Sequence, residues 1–141
     1  MVKLEIAIDV IIHATEDVEK FFHAFEEMFG LEKDDFVMSY LTGHYDNPII
    51  LLHNKISKKP AREFLNKFLD LINENQKIEI VEEIGERTED STLHIRFDKQ
   101  DFIDGKISFK ERDAIKLKIH TPIYNKKDTI KVFSDILKHV N

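Results

Sequence analysis

Residues 92–109 read T-L-H-I-R-F-D-K-Q-D-F-I-D-G-K-I-S-F. The first half alternates. Leu93, Ile95 and Phe97 fall on one side, and Thr92, His94, Arg96 and Asp98 on the other, as in a half-buried strand. Asp98-Lys99-Gln100-Asp101 then breaks the alternation with a polar tetrapeptide. Phe102 and Ile103 follow, then an Asp104-Gly105 turn and an expected short strand from Lys106 to Phe109. A polar cluster fastened between apolar segments can be a binding site or an ordinary solvated turn.

Upstream, Val2, Leu4, Ile6, Ile8, Val10 and Ile12 alternate with Lys3, Glu5, Ala7, Asp9 and Ile11, which predicts a strand with one face in the core. Thr15 reads as the N-cap of a helix, with Glu16 and Asp17 in its first turn and Gly30 as its C′ residue. Val18, Phe21, Phe22, Phe25, Met28 and Phe29 recur at helical spacing and read as core. Strands over 36–41 and 49–56 flank a Gly/Asp/Asn/Pro cluster and predict a hairpin. A helix from Ser57-Lys58-Lys59-Pro60 buries Phe64, Leu65, Phe68, Leu69 and Ile72, with Pro60 in its first turn. A short helix over 77–84, ending at Gly85, and a polar loop over 86–91 lead into the 92–109 stretch.

Beyond it, Ile115, Leu117 and Ile119 alternate with Lys116, Lys118 and His120, a half-exposed strand with a basic outer row. Asn125 and Asp128 read as a cap and its partner for a last helix. That helix turns Ile130, Phe133, Ile136, Leu137 and Val140 inward, and Lys138 and His139 suit its C-terminal dipole. The expected order is β-α-β-β-α-α-β-β-β-α. It describes a single α+β domain over residues 1–141, a mostly antiparallel six-stranded sheet packed against helices in two layers.

The chain has 141 residues, enough for one sizeable core, and 11 Phe give that core its bulk. It has no Cys, which excludes disulfides, thiolate metal sites and a Cys nucleophile. The first segment carries Glu5 and Asp9 where a secretory signal would be apolar, and no apolar run has the ~20 residues of a membrane span, so a cytoplasmic protein without a membrane partner is expected. The net charge of −6 argues against general coating of nucleic acid. Residues 1–54 hold 3 Lys against 11 Asp/Glu, whereas residues 94–131 hold 10 Lys/Arg against 6. An anionic partner is therefore expected at the C-terminal half.

The 7 His do not show H-x-x-x-H or H-x-H spacing, so no metal is expected, and no cofactor. Glycine-rich nucleotide loops and the G-x-S-x-G nucleophile motif are absent, and no catalytic residue is assigned. Two places remain. Arg96, Lys99 and Lys106 can contact phosphates, and Gln100 can hydrogen-bond base edges. In the 43–49 loop, His44 or Tyr45 can stack on an unpaired base and Asn47 can hydrogen-bond it. Turn chemistry alone accounts for that loop equally well.

Arg96-Phe97-Asp98-Lys99-Gln100 and Gly43-His44-Tyr45-Asp46-Asn47-Pro48-Ile49 together resemble a small archaeal family of predicted RNA-binding, exosome-subunit-like proteins. His13-Ala14-Thr15-Glu16-Asp17 resembles that family's lead-in to its first helix. The family's loop often carries Gly directly before the Asn; here Asp46 stands there, a residue that tolerates left-handed backbone. The resemblance spans nearly the whole chain and implies a fold similar to that of the ribosomal protein that binds 5S RNA. It implies a non-enzymatic RNA-binding accessory role in exosome- or ribosome-associated RNA processing. The implied RNA surface is Arg96, Lys99 and Gln100 with His44, Tyr45 and Asn47; exosome or ribosomal proteins are the implied partners. Two other readings stand beside it: a protein-interaction or homodimer module that uses a sheet edge or the apolar 49–52 strand, and an enzyme acting on a phosphorylated small molecule.

Overall fold

The computed structural model describes residues 3–138, with the exception of the His44 side chain. Val2, His139 and Val140, assigned above to the first strand and last helix, lie outside the described residues. The described strands and α-helices are β1 (Glu5–Ile12), α1 (Val18–Phe29), β2 (Val37–Thr42), β3 (Pro48–Ser57), α2 (Lys58–Leu71), α3 (Glu74–Glu82), α4 (Ile84–Arg87), β4 (Thr88–Glu89), β5 (Thr92–Asp98), α5 (Lys99–Ile103), β6 (Ala114–His120) and α6 (Thr129–Lys138). The strands form one six-stranded sheet in the order β2-β3-β1-β6-β5-β4. The fold class is α+β, as the alternation of strand and helix patterns predicted.

Two compact units can be distinguished. One comprises Ala7–Lys55 and Arg96–Leu117. Its core is aromatic. Phe102, on α5, is fully buried, with ring centroids 4.7 Å from Phe25 and 5.5 Å from Phe97. Phe36 meets Phe25 at 4.8 Å and Phe22 edge-on at 5.7 Å. Such tilted and edge-to-face pairs add to the burial of the rings themselves. α1 buries Phe21, Phe22, Ala24, Phe25 and Phe29, and ends at Gly30 in the left-handed region (φ 69°), as the spacing predicted. Its start differs: Asp17 is the N-cap, accepting from the Glu19 amide, so Thr15 and Glu16 lie before the helix. β2 and β3 form the expected hairpin in unbroken antiparallel register from Val37↔His53 to Thr42↔Pro48.

The other unit comprises Met1–Ile6, Ile56–Ile95 and Lys118–Asn141. α2 buries Ala61, Phe64, Leu65, Phe68 and Leu69. α3 begins at Glu74, earlier than the pattern predicted, because Asn73 and Gln76 form a reciprocal capping box at 2.8 and 2.9 Å. α4 runs through Gly85 instead of ending there. α6 packs on α3 and α4 and buries Phe133, Ile136 and Leu137. Ile130, expected inward, is exposed in the first turn of α6.

The 92–109 stretch divides differently from its pattern. β5 keeps strict alternation, with Leu93, Ile95 and Phe97 buried. The polar tetrapeptide, however, opens the short helix α5. Asp98 caps it by accepting from the Asp101 amide at 2.8 Å. The expected strand from Lys106 to Phe109 reduces to one bridge, Phe97↔Phe109, with the Asp98 amide donating to the Ser108 carbonyl at 2.8 Å. The sixth strand is β4, two residues paired to the start of β5 in what read as polar loop.

Candidate nucleic-acid interface

The end of β5, α5 and the 104–113 return loop carry most of the residues singled out from sequence. Arg96 projects from β5, half-exposed, with its guanidinium 3.8 Å from Glu111 Oε2. Its carbonyl accepts from the Lys110 amide, which holds the return loop against the strand. Gln100 lies exposed on the first turn of α5. Lys106 is exposed just after Gly105, whose left-handed φ of 86° turns the chain back. The Lys106 amide donates to the Asp101 carbonyl, so its side chain sits on a braced turn.

Lys99 occupies a different environment. It is only 5% exposed. Its ammonium donates to Glu16 Oε1 at 3.0 Å, to Asp113 Oδ1 at 2.9 Å and to the Ile11 carbonyl. An ammonium has three hydrogens, and all three are directed into the protein. Asp113 also receives His13 Nε2 at 2.8 Å, and the His13 amide donates to Glu16 Oε1 at 2.8 Å. The Lys99 hydrogen bond holds the Asp113 carboxyl below its ordinary value; partial burial opposes this, and His13 adds to it. Lys99 thus ties the 11–16 and 110–113 segments to the end of β5.

The hairpin presents a second patch. Tyr45 is 96% exposed at the tip, in the left-handed region with φ 59° and ψ 32°. Asp46 also has a positive φ, 59°, a backbone region that Asp tolerates better than most residues. Asn47 is exposed, and its carbonyl closes the loop by accepting from the Gly43 amide at 2.7 Å. A side chain at Gly43 would press on that same carbonyl and on Ile49, both 3.3 Å from an added Cβ. The His44 side chain lies outside the described residues.

The two patches are separate in the sheet order. β1 and β6 stand between β3 and β5, three strand spacings of ~4.8 Å each, or roughly 14 Å. Arg96, Gln100 and Lys106 cluster around the return loop, whereas Tyr45 and Asn47 stand on the hairpin. Sequence reasoning did not assign Lys110, Arg112 or Lys116 to the interface; all three are exposed on or beside the return loop. Lys110 Nζ lies 3.3 Å from Asp98 Oδ1. The signal for these three was present in the local excess of positive charge over residues 94–131. Among the described residues, no group of three or more His, Asp or Glu is placed to hold a metal ion, and no helix is long and apolar enough to cross a membrane.

A model of the family described as RNA binding matches residues 5–121. An uncharacterised protein of Methanocaldococcus jannaschii is 31% identical over 89% of this chain and 91% of its own length. A protein of Pyrococcus abyssi named as RNA-binding is 33% identical over 81% of this chain and 79% of its own. A solved DUF54 structure from Sulfolobus solfataricus superposes with a TM-score of 0.75 at 29% identity, covering 93% of this chain and 97% of that one. With the family's pattern spanning the sheet from β1 to β6, the chain belongs to the family described as RNA binding.

Proposed function

We propose that the chain is a cytoplasmic, non-enzymatic RNA-binding accessory protein that acts as a single domain in exosome- or ribosome-associated RNA processing. The reading is carried by one observation. In a chain of net charge −6 that belongs to an RNA-binding family, Arg96 at the end of β5 and the exposed Lys106, Lys110 and Arg112 of the return loop stand together, interleaved with Asp104, Glu111 and Asp113. Arg96, Lys106, Lys110 and Arg112 supply cations for phosphate oxygens, and Gln100 supplies an amide for base or ribose. Tyr45, with His44 and Asn47, offers an aromatic face and hydrogen-bonding groups for an unpaired base. Lys99 acts by positioning the loops, since its hydrogens are already engaged within the protein.

The acidic N-terminal half directs the backbone of an RNA toward the return loop. Exosome or ribosomal proteins are the partners this reading implies in the cell. Fluorescence anisotropy with a labelled single-stranded RNA and a labelled hairpin RNA, across a salt series, tests it. Binding is expected to weaken with salt at a slope of about −0.7 per phosphate neutralised on a single strand. Arg96→Ala combined with Arg112→Ala should lower both the affinity and that slope. Absence of binding at low salt overturns the function; binding unchanged by the double variant overturns the assigned surface.

A further inference from the structure

We propose that β2 is a self-association edge, pairing antiparallel with β2 of a second copy of this chain about a two-fold axis at Ser39. β2 ends the strand order, so among the described residues only one side of its backbone is laddered, by β3. Its register with β3 runs without a slip, so no bulge bends it away. Its sequence, Val37-Met38-Ser39-Tyr40-Leu41-Thr42, holds no charge and no proline. These are the devices by which natural proteins blunt an exposed edge, and β2 has none of them. Nor is it covered: Val37 is 62%, Tyr40 71% and Leu41 48% exposed.

A second copy is the occupant the sequence fits. Residues directly opposite in an antiparallel pair point to the same face, so a two-fold pair must centre on a residue. Centring on Ser39 sets Val37 opposite Leu41 of the second copy and Met38 opposite Tyr40, each contact occurring twice. The small Ser39 faces itself on the axis. Every exposed apolar side chain of the edge then gains an apolar neighbour, the type of cross-strand pair that stabilises sheets. β2 itself carries no charge, so no like charges face each other along the pair, although the surrounding half, with 3 Lys against 11 Asp/Glu over residues 1–54, is acidic and weakens the association. A six-residue pairing is a small interface, so the dimer should be weak, with Kd on the order of 10–100 µM.

The chain has no Cys, so Ser39→Cys reports the register directly. Opposite Cβ atoms in such a pair stand about 4.5–5.5 Å apart, close enough for a disulfide after slight adjustment. Under mild oxidation Ser39→Cys should form a covalent dimer at least tenfold faster than Thr42→Cys, which lies off the axis. Sedimentation of the wild type should show concentration-dependent dimer, and Ser39→Lys, which sets two ammonium groups face to face, should abolish it without lowering the thermal midpoint. A wild type that stays monomeric up to about 1 mM overturns the proposal. So do equal cross-linking rates for the two cysteine variants. RNA anisotropy on the same variants separates the alternative occupant: a monomeric wild type whose RNA affinity changes with Ser39→Lys assigns the edge to RNA and ends the proposal.

Discussion

The Lys99 ammonium lies 2.9 Å from Asp113 Oδ1, and this pair joins the first residue of α5 to the last residue before β6. Glu16 and the Ile11 carbonyl complete the ammonium's surroundings. The lysine that resembles an RNA ligand in sequence is therefore spent on the fold. Removing it leaves two carboxylates facing each other without their shared cation. Breaking a fully buried pair costs about 3–5 kcal/mol, but Asp113 is half-exposed and water relieves part of the loss, so Lys99→Ala should destabilise by about 1–3 kcal/mol. Urea unfolding measures this. RNA affinity of the folded variant should fall less than in Arg96→Ala; a larger fall with unchanged stability would return Lys99 to the interface.

The same pair makes stability depend on acid. Asp113 is held below its ordinary value, first by the Lys99 hydrogen bond. A carboxyl depressed in the folded state contributes stability above its unfolded pKa of about 3.9, and that contribution is lost as pH falls through the lower folded value. Wild type should therefore lose stability more steeply than Asp113→Asn as pH drops below about 4. Asn suits the substitution because Asp113 has φ 48°, a conformation Asn tolerates. Chemical denaturation at stepped pH, with carboxyl NMR of Asp113, checks both the slope and its source. Parallel pH profiles for the two proteins would exclude the pair as the cause.

What could be read in the chain beforehand followed local periodicity. The alternation of β5 and the Phe stripe of α1 each fix a buried face within a few residues, and Gly30 marks the helix end by its own backbone. α5 has only five residues, too few to show a helical period, and its Asp98-Lys99-Gln100-Asp101 start has the composition of a turn. β4 has two residues and no pattern at all. The burial of Lys99 was hidden for another reason. Its acceptors at Ile11 and Glu16 lie 88 and 83 residues away in the chain, and no local rule connects them.

Asp98 has a structural task. It caps α5 through the Asp101 amide and pairs with Lys110. Asp98→Ala should cost about 1 kcal/mol, as for other N-caps. Asp98→Asn should retain most of the cap while releasing Lys110, and so should keep stability and raise RNA affinity slightly. A hydrogen-exchange measurement on the 99–105 amides distinguishes them: faster exchange for Ala, near-native exchange for Asn. An RNA affinity lost in both variants would instead make Asp98 a ligand.

We also propose that the chain unfolds as one domain. β1, β3, β5 and β6 each continue from one compact unit into the other, with no linker at any of the four crossings. Unfolding of either unit alone would have to break each of these four strands partway along its length. Thermal unfolding followed by far-ultraviolet circular dichroism and by calorimetry should give coincident transitions with equal van't Hoff and calorimetric enthalpies. Two resolved transitions would assign the units separate stabilities.

Tyr45 offers the sharpest separation of function from fold. At 96% exposure its ring contributes little to the core, and its left-handed backbone at φ 59° is a mild strain for any residue with a Cβ. Tyr45→Ala should therefore leave thermal stability within about 0.5 kcal/mol of wild type. If the ring stacks on an unpaired base, the same change should weaken binding of single-stranded RNA by about 1–3 kcal/mol, roughly a 5- to 150-fold loss. Tyr45→Phe should restore it, since stacking needs the ring and not the hydroxyl. A fully paired duplex offers no free base face, so its affinity should be unaffected. Equal loss for duplex and single strand would mean that the hairpin supports the interface without stacking, and no loss for either would remove it from the RNA surface, leaving the return loop around Arg96 to act alone.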